Sequence, residues 1–358
     1  MKRFLAVDIG AGTMDILYYE HPSGVHYKAV VKSPVQALAE RASAIEGNLL
    51  ITGVEMGGGA ISSVLKERAQ TAEVVMSRTS AATVHHDPER VRSRGIRVVE
   101  DGEAEELKKT RRYIHLELAD LDIERLRPII EGFGVPFSFD VLCVCAQDHG
   151  VAPEGMSHLD YRHNLFARSL NDDPLPHSLL YRRDEVPATF NRLKAIADSS
   201  MSFPSHEIFV MDSGMAAILG ATLDPLANAK KRVLVVDAAT SHTVGAAVEE
   251  GGIAGFFEYH THDITLGRLE ELLAGLSEGT LNHEKVLQEG GHGAFVRGHF
   301  GFRNAEILVA TGPKRGIVRG SSFPFVLGAP MGDNMMTGTA GLLEAVFRRK
   351  GLGEIESV

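Results

Sequence analysis

One strand–turn–strand pattern occurs twice in this chain, in widely separated stretches. Residues 4–19 read as an apolar strand, Phe4-Leu5-Ala6-Val7, a turn from Asp8 to Thr13, and a second strand, Ile16-Leu17-Tyr18-Tyr19. Residues 232–248 repeat the arrangement, with Arg232-Val233-Leu234-Val235-Val236, a turn from Asp237 to Thr243, and Val244-Gly245-Ala246-Ala247-Val248. Val-Asp closes the first strand in both copies, and Gly12-Thr13 falls opposite Ser241-His242. Each connection is too short for a parallel crossover, so each unit is a hairpin. A duplication of this kind predicts two similar α/β domains facing each other, each offering one hairpin to a shared cleft.

The first turn has specific chemistry. A carboxylate at a strand end, Asp8, suits hydrated Mg²⁺, because hard cations take oxygen ligands and keep several waters. Gly10 and Gly12 let backbone N–H groups approach phosphate oxygens where a Cβ would obstruct. Ala11 lies between them, Thr13 adds a hydroxyl, and Asp15 is placed to orient the turn. The plainer alternative is a tight glycine-rich hairpin with Asp as a turn residue.

Composition removes several function classes. The chain has 37 basic and 47 acidic residues and a net charge of -10, which disfavours broad binding of nucleic-acid phosphates. No apolar run has the length of a membrane span, and the short apolar stretch after Met1-Lys2-Arg3 is not the core of a signal peptide. Two cysteines, Cys143 and Cys145, cannot make a disulfide framework. The expectation is a soluble, cytoplasmic, two-domain protein. Residues 1–170 with 335–358 would form the first domain and 171–334 the second.

Between the hairpins, Gly53 to Gly59 reads as a loop before a helix, Ala60 to Ala69, and residues 101–127 read as a charged helical segment. Asp140 to Ala146 is a buried strand that ends on Gln147-Asp148-His149-Gly150. Residues 150–207 read as helical and polar, broken by prolines, and a terminal helix runs from about Thr339 to Arg349.

Asp8-Ile9-Gly10-Ala11-Gly12-Thr13-Met14-Asp15 resembles the first phosphate loop of the actin/Hsp70/sugar-kinase superfamily. The resemblance continues in order along nearly the whole chain. Met211 to Gly220 is similar to the first connecting helix, and residues 232–248 to the second phosphate hairpin. Ile307 to Gly316 resembles the adenosine-loop strand and turn, and Gly338 to Leu343 the second connecting helix. The resemblance implies duplicated actin-like (ribonuclease H-like) domains with Mg²⁺ and ATP in the cleft between them. Asp8 and Asp237 would hold the metal. Gly10, Ala11, Gly12 and Thr13, with Thr240, Ser241 and Thr243, would cradle phosphates, and Thr311 and Gly312 would lie at the adenosine. Asp212 would orient an attacking water, with Asp148 or His149 as the other candidate base. For Asp212 a helix N-cap is the competing reading.

The chain is also similar to a prokaryotic family that carries the label pyruvate formate-lyase activating enzyme. Such an activator needs three cysteines on one loop for an iron–sulfur cluster, and this sequence has two cysteines in all. The same count opposes the reductive activators of the superfamily. Two departures from the superfamily pattern bear on the nucleotide site: Ala238 and Ala239 replace glycines in the second hairpin, and Pro313 removes an N–H from the adenosine turn. The expected function is ATP hydrolysis or phosphoryl transfer acting on a partner protein or a small molecule. With no peptide-binding domain within 358 residues, a general chaperone is not expected. The alternatives are a non-catalytic nucleotide-sensing or assembly protein, or a metal-dependent hydrolase built on His260, His262 and His242, with His85-His86-Asp87 a second cluster.

Overall fold

A computed structural model describes residues 1–153 and 155–355. Its strands form three sheets. The first contains β1 (Lys2–Ile9), β2 (Thr13–His21), β3 (His26–Lys32), β8 (Val141–Ala146), β9 (Leu180–Arg182) and β10 (Glu207–Asp212), in the order β3-β2-β1-β8-β10-β9. The second contains β11 (Arg232–Ala238), β12 (His242–Glu249), β13 (Gly252–His260), β14 (Gly293–Val296), β15 (Ile307–Thr311) and β16 (Phe325–Leu327), in the order β14-β13-β12-β11-β15-β16. In both sheets three consecutive antiparallel strands, β3-β2-β1 and β13-β12-β11, are followed by two that run parallel to the first strand of the hairpin, and each sheet has one further antiparallel edge strand, β9 or β14. The chain therefore has a duplicated actin-like, ribonuclease H-like architecture, and its two hairpins are equivalent in topology.

The central strands read as unbroken apolar runs because both faces are covered. Every residue of β8, Val-Leu-Cys-Val-Cys-Ala, is buried. Strands β9 and β10 lie in the first sheet, so the first half runs on to Asp212, past the boundary expected at residue 170. The last three residues of the segment assigned to that half, 356–358, lie outside the described residues.

A third, parallel sheet comes from β4 (Leu49–Gly53), β5 (Val74–Ser77), β6 (Arg97–Val99) and β7 (Ile114–Leu118), ordered β6-β5-β4-β7. It corrects the reading of residues 101–127 as one helical segment: helices Asp101–Lys108 and Ile123–Gly132 flank β7. The reason is the alternation in Ile-His-Leu-Glu-Leu, which buries Leu116 and Leu118 on one face and is hidden among charged neighbours. Likewise, residues 150–207 contain β9 as well as the helices His158–Asp172 and Asn191–Ser199.

Two helices, Ser213–Thr222 and Thr337–Lys350, cross between the large sheets. They are buried on nearly all sides, from Met215 to Ala221 and from Thr337 to Phe347. Their approach is possible only because glycines face each other. A Cβ on Gly220 would lie 1.8 Å from Thr337 O, and one on Gly341 would lie 1.9 Å from Ala216 O. The second helix stops at Gly351, whose left-handed conformation lets Leu352 N donate to Phe347 O at 3.0 Å. Apolar residues of both halves, among them Val144, Phe209, Val235 and Phe347, form one continuous core around the crossing. No helix among the described residues is long and apolar enough to cross a membrane.

Gly341→Ala should therefore force the helices apart and cost at least about 2 kcal/mol, read as a drop in unfolding temperature. Gly102→Ala, in a helix where an added Cβ meets nothing within 4 Å, should leave stability unchanged or raise it. Equal behaviour of the two variants would contradict the close crossing.

Candidate functional site

The two hairpin tips form the same turn. Gly10 N donates to Thr13 O at 3.0 Å, and Ala239 N donates to His242 O at 3.0 Å. This match aligns Asp8 with Asp237 and Thr13 with His242. The tips also touch, since a Cβ on Gly12 would lie 2.9 Å from Thr240 Cγ2. Around them lies a cleft of about 750 Å³ with walls from both halves. Asp8, Gly10, Ala11, Thr13, Asp148, His149, Asp237, Thr240, Ser241 and Gly312 line it. Gly12 instead faces the other hairpin. Thr243 is fully buried and shares a 3.0 Å hydrogen bond with Thr261, and Thr311 is fully buried and donates to Asp237 Oδ1 at 2.8 Å. Neither hydroxyl is presented to the cleft.

Three carboxylates gather beneath the tips. Asp8 and Asp15 are cross-strand partners, and Asp15 Oδ1 is buried without a hydrogen bond. Burial pushes Asp15 up to about 8, with the Asp8 charge adding to the effect. Burial likewise pushes Asp8 up to about 7, against a hydrogen bond from Cys145 and with the charges of Asp237 and Asp212. Asp237 is pushed up to about 6 by burial, with the Thr311 hydroxyl acting in the other direction. The helix Thr337–Lys350 leaves room for Asp8 only because residue 338 is glycine; a Cβ there would lie 1.9 Å from Asp8 Oδ2. Gly312, at φ +83°, presses on Ala238 O, from which a Cβ would be 2.6 Å. Oxygen donors in negative excess, one of them an orphaned buried atom, fit a hard divalent cation such as Mg²⁺.

The three candidate bases differ in what their polar atoms already do. Asp212 Oδ1 accepts from Gly214 N at 2.9 Å and Met215 N at 3.3 Å, so the N-cap reading describes it, while Oδ2 pairs with Arg162 at 2.9 Å. Asp148 spends both oxygens on backbone amides, Gly150 N at 2.8 Å and Leu193 N at 2.9 Å. Burial pushes it up to about 6 against those two bonds. His149 is held neutral, pushed down to about 3 by burial and the Arg162 charge, and its Nδ1 has no hydrogen-bond partner.

Arg162, Glu258 and His292 escaped the sequence reading. Arg162, on the helix His158–Asp172, bridges Asp212 of the first half and Glu258 of the second, and all three side chains are almost fully buried. Arg162 outweighs burial and holds the Glu258 carboxyl well below its usual range. The signal for Glu258 was present, as one acid inside the apolar run Gly-Ile-Ala-Gly-Phe-Phe-Glu-Tyr-His. His260 does meet His242, but His262 is largely exposed beside Asp263, and His292 completes the group instead. His86 pairs with Glu55 at 2.8 Å on the opposite wall, with His158 near by.

The perturbed groups set a pH dependence. Raised carboxylates contribute stability that is complete below about pH 4 and is lost as pH climbs through 6 to 8. His149, His163 and His242, lowered to about 3, 3 and 4 mainly by burial, contribute stability present above pH 6.5 and lost on acidification. The two sets oppose each other below pH 6.5, and the carboxylates alone act above it. In chelator, the unfolding temperature should therefore fall from pH 6.5 to 8, and either Mg²⁺ or Asp15→Asn should flatten the fall. A flat profile in chelator would contradict the carboxylate cluster.

Three comparisons bear on relationship. No curated protein matches this sequence. A reductive activator for a corrinoid, iron–sulfur protein superposes with a TM-score of 0.38 at 10% identity, covering 98% of this chain and 62% of that one. A ROK hexokinase from Thermus thermophilus gives 0.23 at 13% identity, covering 70% and 48%. An exopolyphosphatase from Cytophaga hutchinsonii gives 0.27 at 9% identity, covering 76% and 53%. The matched region spans about half the length of that hexokinase. These superpositions are loose, and the fold assignment rests on strand order. The family model described as "Putative pyruvate format-lyase activating enzyme (DUF1786)" matches residues 56–317, most of the chain, and this protein belongs to that family.

Proposed function

We propose that this chain binds Mg·ATP in the interdomain cleft and uses hydrolysis or transfer of the terminal phosphoryl group to act on a partner protein or a small molecule. The observation that carries the reading is the mirrored pair of hairpins, which sets Asp8 and Asp237 at equivalent strand ends of one cleft with Asp15 beside them and no cation paired to any of the three among the described residues. Asp8, Asp15 and Asp237 are the residues for Mg²⁺, which when bound supplies charge neutralisation for phosphate oxygens.

The other roles follow from the polar groups at the two hairpin tips. Backbone amides of the first tip, with the hydroxyls of Thr13, Thr240 and Ser241, hold phosphates, and the Gly12–Thr240 contact excludes water between the tips. His149 is the candidate base left to take the proton of the attacking water or hydroxyl, since its ring lines the cleft and its Nδ1 is unpartnered. Burial and the Arg162 charge leave it weakly basic, and the negative charge of a bound phosphate raises its proton affinity. Asp148 and Asp212 act as positioning residues, because amides and Arg162 already occupy their oxygens.

Radical chemistry of the kind in the family's description is not part of this reading. Cluster-bearing activators use several accessible thiolates, whereas Cys143 and Cys145 are fully buried in β8 with their thiols pushed up by desolvation. ATP-driven work by a chain with two reduced thiols belongs in the cytoplasm.

Calorimetric titration of Mg·ATP should show saturable binding that Asp8→Ala weakens at least about tenfold. His149→Gln should lower phosphate release with nucleotide affinity unchanged. An absence of binding at millimolar nucleotide would overturn the proposal.

A further inference from the structure

We propose that His242, His260 and His292 form a three-histidine site for a divalent transition metal of the zinc class, on the second-half wall of the cleft and separate from the carboxylate cluster. The site goes beyond the nucleotide reading and does not depend on it.

The backbone builds the site within one sheet. His242 opens β12 and His260 closes β13, and the two are direct cross-strand partners. His292 is pinned just before β14, where its N–H donates to Glu258 O at 2.8 Å. One ring nitrogen from each residue lies within 4.8 Å of the others, and the ring centroids are 4.3–4.9 Å apart. Zinc–imidazole bonds of about 2.0–2.1 Å put tetrahedral ligand atoms roughly 3.4 Å apart, so each ring need shift by under about 1 Å. Three imidazoles with an open cleft beside them are the donor set of a zinc-class ion that keeps a free coordination position.

Independent observations point to a cation. His242 Nε2 is buried without a hydrogen-bond partner. A structural histidine in a core normally satisfies its ring nitrogens. An outer shell also exists: Glu258 Oε1 lies 3.8 Å from His292 Nδ1, and the Ser241 backbone holds a nitrogen of His260. Charge completes the argument. Asp212 and Glu258 share the single cation Arg162 in a nearly dry interior, leaving one negative charge in excess, with Glu258 beside His242 and His292. A metal ion on neutral imidazoles would offset that charge.

The hairpin alignment explains why the site stands where it does. His242 occupies the place that Thr13 holds in the first tip. The second tip thus presents a metal ligand where the first presents a hydroxyl. The free coordination position opens onto the same cavity as Ser241, His149 and Asp237, so the natural occupant is an anionic oxygen of the cleft's ligand or a water.

The test uses chelator-treated, tag-free protein titrated with Co²⁺ and followed by visible absorption, with Zn²⁺ as competitor. One equivalent of Co²⁺ should give intense tetrahedral-type bands that Zn²⁺ abolishes, and Zn²⁺ should raise the unfolding temperature. His242→Ala, His260→Ala and His292→Ala should each weaken binding at least about a hundredfold, with a cooperative unfolding transition confirming the fold. Should His292→Ala fail to fold, His292→Asn and His260→Gln provide the same reading. His262→Ala and Asp8→Ala should give the same intense tetrahedral Co²⁺ bands as the parent chain, at the same affinity. Retention in Asp8→Ala separates this site from the nucleotide site, because loss of Mg·ATP binding leaves it untouched. No saturable Co²⁺ or Zn²⁺ binding, equal binding by the His242, His260 and His292 variants and the parent, or loss in His262→Ala would overturn the proposal.

Discussion

At Gly220 and Gly341 two helices meet backbone against backbone, and no side chain separates them. Everything distinctive in the molecule depends on that contact. The first helix leaves the first half directly from Asp212 at the end of β10, and the second, coming from the second half, passes beside Asp8 of the first hairpin through Gly338. Their closeness draws the two large sheets around a shared apolar core and brings the hairpin tips within van der Waals reach. Larger side chains at the crossing would widen the cleft and separate the carboxylates from the opposite tip.

A second bond between the halves is electrostatic. Arg162 reaches from a helix of the first half to Glu258 in β13 of the second and shares itself with Asp212. Breaking such a buried arrangement leaves an uncompensated charge, so its removal costs far more than a surface pair would. Arg162 and Glu258 also line the cleft. Structural cohesion and the charge environment of the site therefore come from the same three side chains.

Local patterns were readable in the amino-acid sequence and distant assemblies were not. The hairpin duplication is a matter of adjacent residues, and both tips, Asp8 and Asp237 included, occupy equivalent places as their repetition implied. The crossing helices were visible in their glycines and alanines. The four-stranded sheet was hidden, since β6 has three residues and β7 lies between charged stretches. Asp212 carried two readings because a carboxylate before Ser-Gly suits a cap and a catalytic base alike, and only its bonds to Gly214 and Met215 distinguish them. His292 could not be associated with His242, because no periodicity links positions that only β13 brings together.

The contact between Gly12 and Thr240 fixes one end of the molecule's range of motion. A hydrogen atom on one tip already rests near a methyl group on the other, so closer approach along this line has to move the Thr240 side chain. Movement about the helix crossing that leaves this side chain in place widens the gap from its present setting. The hairpins thus act as a gauge, with closure defined by the smallest side chain in the code and each occupant of the cleft measured by how far it holds the tips from that stop.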